Sequence, residues 1–128
     1  MGKGFAVYFD LMPKGYPFLS IGFYLLDPAP IQVHIWDKER HDLITPFTAY
    51  PTTTGWFYVD LSGYGVVTPP SDSFNTSFYV GFTHTVDYQP SIGVDTTNPR
   101  GHSYEWDGAN FELKPDLNYM ISVVLILL

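Results

Sequence analysis

A chain of 128 residues has the length of one ordinary domain and can enclose a hydrophobic core. Aromatic residues make up 18% of it and charged residues only 15%, the reverse of the composition that keeps a chain disordered. The net charge is -7 and the 6 Lys and Arg residues are scattered, which argues against nucleic acid and anionic membrane surfaces as partners and leaves a cation, a neutral sugar or another protein.

The 11 Pro and 11 Gly residues cut the sequence into short segments in which apolar and polar residues alternate with period two, the pattern of β-strands. The first segment, 5–11, places Phe5, Val7, Phe9 and Leu11 on one face. Further strands are predicted over residues 18–26, 31–36, 43–50, 55–61, 76–85, 91–95, 102–106 and 119–127, with short extended segments at 63–67 and after residue 110.

Two of these regions have distinctive compositions. Residues 37–42 are all charged or His, which predicts an exposed hairpin tip. The last segment, 119–127, is apolar on both faces, which predicts a strand that is central in its sheet or covered on both sides. The apolar run at 123–128 is far shorter than the ~20 residues of a membrane-spanning helix.

The predicted fold is all-β: a two-sheet antiparallel β-sandwich of jelly-roll type, with a closed barrel as the second choice. About eight to ten short strands at this spacing are typical of such sandwiches. No repeat or linker divides the chain, so residues 1–128 are interpreted as one domain, either complete or a fragment of a larger protein. No signal-peptide pattern precedes Phe5, so the sequence itself does not assign a compartment.

Several short motifs occur in an order known from other proteins. They are GWFYVDLS at 55–62, FYVGF at 78–82, IGVD at 92–95 and YMI at 119–121, together with YPF at 16–18, VHIWD at 33–37 and SY at 103–104. This order resembles the jelly-roll accessory domains of large secreted bacterial and archaeal proteins, which include cell-surface proteins and extracellular peptidases.

The resemblance implies a context and no catalytic residues. A domain of this kind is extracellular or on the cell surface, and it assists a larger protein without performing chemistry itself. Such domains usually have an additional strand ahead of the segment that corresponds to Phe5. Because this chain begins at that point, it is either a fragment or obtains its edge strand differently.

Motifs for catalysis are missing. The sequence has no Gly-x-Ser-x-Gly elbow and no cysteine, which excludes a serine hydrolase of the elbow type, a thiol nucleophile and a disulfide. Its histidines lack zinc-site spacing, and we expect His34 and His84 to be half-buried and satisfied by polar neighbours. Glu105 and Asp107 flank Trp106 without a defined separation for glycoside hydrolysis. We therefore predict that the chain is not an enzyme, with a small stand-alone enzyme as the remaining alternative.

Two acidic loops are candidates for calcium, because hard cations bind carboxylate, amide and carbonyl oxygens without strict spacing. The candidate ligands are Asp95, Asn98, Asp107, Asn110 and Glu112. The alternative interpretation treats these Asp and Asn residues as turn formers that accept hydrogen bonds from their own backbone. Calcium is the one cofactor that the sequence suggests.

The aromatic residues suggest the function. Trp36, Tyr58, Tyr79 and Tyr104 alternate out of phase with the core positions of their strands, and Trp106 lies between two acids. Flat aromatic surfaces suit the C–H faces of sugar rings, but outer-face aromatics also pack on each other or on a neighbouring domain. We therefore predict an accessory module that contacts carbohydrate or a cell-surface polymer, with a purely structural domain that packs on a partner as the alternative.

Overall fold

All regular secondary structure among residues 3–71, 73–85 and 91–126, which the computed structural model describes, is β-strand. The strands are β1 (Gly4–Pro13), β2 (Phe18–Leu25), β3 (Ile31–Asp37), β4 (Phe47–Ala49), β5 (Gly55–Asp60), β6 (Asn75–His84), β7 (Val94–Asp95), β8 (Ser103–Trp106), β9 (Phe111–Leu113), β10 (Asn118–Tyr119) and β11 (Ile121–Leu125). Every strand pair is antiparallel. The all-β prediction is confirmed, and no helix in these ranges is long and apolar enough to cross a membrane.

The strands form a six-stranded sheet in the order β4-β3-β6-β1-β8-β9, a three-stranded sheet in the order β11-β2-β5, and the two-stranded pair β10-β7. Aromatic rings of the two larger sheets contact each other: the Phe18 and Phe78 centroids are 5.1 Å apart, and those of Phe23 and Phe82 are 5.3 Å apart. The two sheets therefore contribute to one hydrophobic core, which is consistent with a β-sandwich.

The core follows the period-two pattern of the sequence. On β3 the side chains of Ile31, Val33 and Ile35 are fully buried, and the core side of β6 is formed in the same way by alternate residues. The charged segment 37–42 is the predicted turn, because the Asp37 carboxylate accepts hydrogen bonds from the N–H groups of Glu39 and His41. The alternating burial and the turn at 37–42 can therefore both be predicted from local sequence.

Strand β1 differs from its prediction at Leu11. The side chain of Leu11 is 73% exposed and its φ is 56°, and the register with β6 shifts between Phe9 and Met12. Such a β-bulge inserts a residue into one strand and reverses the side-chain phase beyond it. Met12 therefore packs against the core in place of Leu11, and the prediction that Leu11 shares the face of Phe9 is wrong.

The last predicted strand is neither central nor covered on both faces. It is divided between β10, which pairs with β7, and β11, which pairs with β2 and lies at an edge of its sheet. Val124 and Ile126 are exposed, and Leu127, the predicted end of the strand, lies outside the described residues. An apolar sequence on both faces does not specify which neighbours a strand has.

Two other strands are shorter than predicted. The segment predicted at 43–50 forms only β4, and the segment predicted at 91–95 forms only β7.

Candidate functional site

The outer face of the three-stranded sheet carries an exposed group of aromatic rings. Alternation on β5 turns Val59 into the core and leaves Trp56 and Tyr58 on the opposite side, where they are 41% and 59% exposed. Their rings are nearly parallel, with an interplanar angle of 17° and centroids 5.9 Å apart. Tyr24 of β2 meets Trp56 edge-on with a centroid distance of 5.6 Å. We call Trp56, Tyr58 and Tyr24 the aromatic face.

Two glycines bring these rings close to the backbone. A Cβ atom on Gly22 would lie 2.8 Å from the Cε1 atom of Tyr58, and one on Gly93 would lie 2.7 Å from the Cδ1 atom of Tyr24. Because glycine has no side chain, the rings lie across neighbouring strands without a clash. The two glycines therefore leave room for the rings of Tyr58 and Tyr24 on this side of the sheet.

Polar groups border the aromatic face. The exposed Asp60 carboxylate accepts hydrogen bonds from the N–H and the hydroxyl group of Ser62, at 2.9 and 2.7 Å. These two bonds hold the pKa of Asp60 below its ordinary value, so the group remains an anionic acceptor at neutral pH. The hydroxyl of Ser122 lies beside Gly22 on the neighbouring strand pair. The surface thus combines flat apolar rings with hydrogen-bonding groups at its border.

The sequence-predicted aromatic candidates divide between the two larger sheets. Tyr58 belongs to the aromatic face, whereas Trp36 and Tyr79 are only 6% exposed, on the outer side of the six-stranded sheet. There they form a second cluster with Ala6, packed by Tyr8, Tyr104 and Phe111; we call it the aromatic layer. Its geometry favours mutual packing over contact with a ligand.

Phe111 covers the aromatic layer and links its members. Its ring centroid lies 5.3 Å from that of Trp36, 5.0 Å from that of Tyr79 and 5.0 Å from that of Trp106. The Arg40 guanidinium group in turn lies 5.1 Å from the Phe111 centroid, a cation–π arrangement. The structure therefore brings Trp36, Tyr79, Tyr104 and Trp106 together and leaves Tyr58 on the other sheet.

Sequence reasoning missed Trp56 and Tyr24. The signal for Trp56 was present, because it is two residues before Tyr58 and must share its face in a strand. Tyr24 could not be found in this way, since its contact with Trp56 depends on the β2–β5 register, in which these two residues are directly opposite.

The calcium candidates lie in two turns whose carboxylates accept local hydrogen bonds. Asp95 accepts from the hydroxyl and N–H groups of Thr97, and Asp107 accepts from the N–H groups of Ala109 and Asn110. These hydrogen bonds hold the pKa values of both carboxyl groups below their ordinary value. Such bonds are those of turn-forming residues.

The remaining candidates have protein partners of their own. The Asn98 carbonyl accepts a hydrogen bond from Asn118, and the Glu112 carboxylate lies 3.5 Å from the Lys114 ammonium, which is also 3.6 Å from Glu105. Within the described ranges, no three His, Cys, Asp or Glu side chains are grouped as a metal site would require.

The two histidines predicted to be half-buried, His34 and His84, differ in their hydrogen bonding. The ring nitrogens of His34 lie 3.1 Å from the Asp42 carboxylate and 3.0 Å from the Thr83 hydroxyl, as expected for a half-buried residue with polar neighbours. His84 is buried, and neither of its ring nitrogens has a hydrogen-bond partner among the described residues. The prediction of polar neighbours is wrong for His84 because its position on β6 points it into the core, against the ring of Phe82.

A cleft of about 550 Å³ lies beside the bulge in β1. Its lining includes the carboxylates of Asp10, Asp37 and Glu39 together with several hydroxyl side chains. Asp37 already accepts two hydrogen bonds within its turn, and the cleft contains no histidine. Among the described residues that line the cleft, no hydroxyl side chain is hydrogen-bonded to a histidine or carboxylate base.

Comparison of the chain with protein-family models, with curated proteins and with solved structures finds no match. The similarity to secreted jelly-roll accessory domains therefore stays a prediction from short motifs. On the surface of the described residues, the aromatic face is the candidate site, because its rings Trp56 and Tyr58 are both exposed and lie against each other.

Proposed function

We propose that this chain is a non-catalytic β-sandwich module of jelly-roll type from a larger extracellular protein, and that it binds carbohydrate through the aromatic face. The observation that carries the proposal is the exposed, nearly parallel pair Trp56 and Tyr58. The shared core of the six- and three-stranded sheets supports the sandwich, and the short antiparallel strands support the jelly roll.

The chemistry of a sugar fits this surface. A pyranose ring has an apolar C–H face that can lie on an aromatic ring, while its hydroxyl groups point outward and need donors and acceptors. Trp56 and Tyr58 supply two adjacent rings, and Asp60 supplies an acceptor on the same side of β5. A neutral sugar also tolerates the net charge of -7 on the chain.

The alternative is that the same face packs on a neighbouring domain. It is favoured by the exposure of Val124 on the same three-stranded sheet, which extends the apolar surface beyond the aromatic rings. Exposed apolar patches with polar borders are typical of protein contacts as well as of ligand sites. Titration with sugars separates the two functions.

The test is calorimetric titration of the 128-residue chain with soluble oligosaccharides. We expect Trp56→Ala to weaken binding about tenfold, because it removes one of the two rings under the sugar. Tyr50→Ala, which removes an exposed tyrosine outside the aromatic face, should leave the affinity unchanged. Trp36→Ala should reduce stability without a specific loss of affinity, since Trp36 is buried in the aromatic layer. If no oligosaccharide binds the wild-type chain, carbohydrate binding is refuted and the packing function is left.

A further inference from the structure

Strand β5 is an open edge of the three-stranded sheet. It pairs with β2 alone, and the hydrogen bond from the Leu61 N–H group to the Leu19 carbonyl fixes which of its backbone groups point toward β2. By alternation, the N–H and C=O groups of Trp56, Tyr58 and Asp60 point away from it. In the described ranges, no backbone partner lies opposite these groups. They form a row of donors and acceptors available to another strand.

The other sheet edges have features that discourage pairing, and β5 lacks them. Strands β4 and β9, at the edges of the six-stranded sheet, have three residues each, and β11 has a register shift between Val124 and Leu125. Short length and bulges are common protections of an edge. Strand β5 has six residues in unbroken register with β2, no proline, and Asp60 as its single charged side chain.

We propose that β5 pairs antiparallel with β5 of a second copy of this chain, about a two-fold axis at Tyr58. Each Tyr58 then lies opposite the Tyr58 of the other copy, and Trp56 lies opposite Asp60. Two-fold interfaces of this kind are self-complementary and are the commonest in homo-oligomers. The two three-stranded sheets join into one sheet of six strands, in the order β11-β2-β5-β5-β2-β11.

Charge and length favour this register over those with the two-fold axis at either of the other outward-pointing residues, Trp56 and Asp60. It places each Asp60 carboxylate beside the indole N–H of a Trp56 and separates the two carboxylates by four residues, roughly 13 Å along the strands. A two-fold axis at Asp60 would instead place two carboxylates directly opposite each other, which is destabilising. An axis at Trp56 would pair only the first residues of β5 with each other.

The dimer joins the two aromatic faces. Residues directly opposite in an antiparallel pair point to the same side of the sheet, with Cβ atoms about 4.5–5.5 Å apart. Both Tyr58 rings therefore lie side by side, with a Trp56 beyond each of them. This inference goes beyond carbohydrate binding and does not depend on it, because it rests on the unpaired backbone of β5.

Sedimentation equilibrium of the full chain tests the association. We expect a reversible dimer below about 1 mM chain concentration that is strengthened by added NaCl, because each copy carries a net charge of -7. Tyr58→Lys places two ammonium groups opposite each other and should raise the dimer Kd about tenfold or more. Val124→Lys makes the same change of charge at an exposed position on β11, the opposite edge of the sheet, and should leave the Kd unchanged.

Cross-linking tests the register, and the chain has no cysteine that would interfere. With a short thiol cross-linker, Tyr58→Cys should form a covalent dimer with itself. Trp56→Cys should not do so, but should link to Asp60→Cys when the two variants are mixed. A monomer throughout the concentration range, an equal loss of dimer in Val124→Lys, or cross-linking without this pattern would overturn the proposal. If Tyr58→Lys fails to fold, as judged by circular dichroism, the cross-linking pattern of the cysteine variants still tests the proposal.

Discussion

Lowering the pH below 6.5 should destabilise this protein through a single buried histidine. His84 is 4% exposed, lies 5.9 Å from the ring centroids of both Phe5 and Phe82, and has no hydrogen-bond partner for its ring nitrogens among the described residues. Burial disfavours the charged imidazolium and lowers the pKa of His84 from 6.5 to about 4. The folded state therefore resists a proton that the unfolded chain accepts.

The sign and size of the effect follow from this difference. Above pH 6.5 His84 is neutral in both the folded and the unfolded state, so it does not lower the free energy of unfolding. Between pH 6.5 and about 4 only the unfolded state binds the proton, so the free energy of unfolding falls as the pH falls, and it levels off below. At 1.36 kcal/mol per pKa unit, and allowing for solvent screening, the loss is about 1–3 kcal/mol. His34 acts in the same direction, because burial lowers its pKa while Asp42 opposes the shift.

The assay is urea unfolding at a series of pH values between about 7 and 4.5. His84→Leu fills the same core position without a titrating group, so we expect its stability to fall much less than that of the wild type in this range, with the smaller contribution of His34 remaining. His41→Gln replaces an exposed histidine and should keep the wild-type slope. The carboxyl groups with lowered pKa, those of Asp60 and Asp107 among them, lose their contributions only below pH 3.8. A wild-type slope retained in His84→Leu would refute the reasoning.

Two further predictions concern the sheet and the acidic turns. Gly81→Ala should destabilise the protein by about 2–3 kcal/mol, because a Cβ atom there would lie 2.1 Å from the Phe5 carbonyl oxygen on the neighbouring strand. Thermal unfolding measures the loss against Gly63→Ala, whose Cβ would meet nothing within 4 Å, and equal melting of the two variants would contradict the prediction. Calcium in excess should not raise the melting temperature above that in excess chelator, because the turns at Asp95 and Asp107 use their carboxylates for local hydrogen bonds. A clear rise would show that these loops bind the ion.

Period-two patterning determined the strands and most of the core, because alternation on a pleated strand is a local property. Ile31, Val33 and Ile35 are buried for this reason. The turn at 37–42 was predictable on the same basis, since the carboxylate of Asp37 bonds to backbone within the turn itself. The function and the secreted family remain predictions, as the motifs behind them are short and rich in ordinary strand residues.

The tertiary structure decided everything that depends on a distant neighbour. The bulge at Leu11 is a shift in the register between β1 and β6. The edge position of β11 arises because, among the described strands, it pairs only with β2. Neither the bulge nor the edge position can be predicted from the hydrophobic pattern of a single strand. A period-two sequence fixes which residues share a face but not which strand lies beside them.

The aromatic candidates show the same limit most clearly. Trp36 and Tyr58 both alternate out of phase with the core, and sequence alone gave no reason to separate them. Trp36 is buried because Phe111, from the distant strand β9, lies over the aromatic layer, and Arg40 in turn lies over the Phe111 ring. Tyr58 is exposed because no described segment covers the outer face of β5. Exposure on the outer face of a sheet is decided by which remote segments pack there, and period-two alternation carries no information about them.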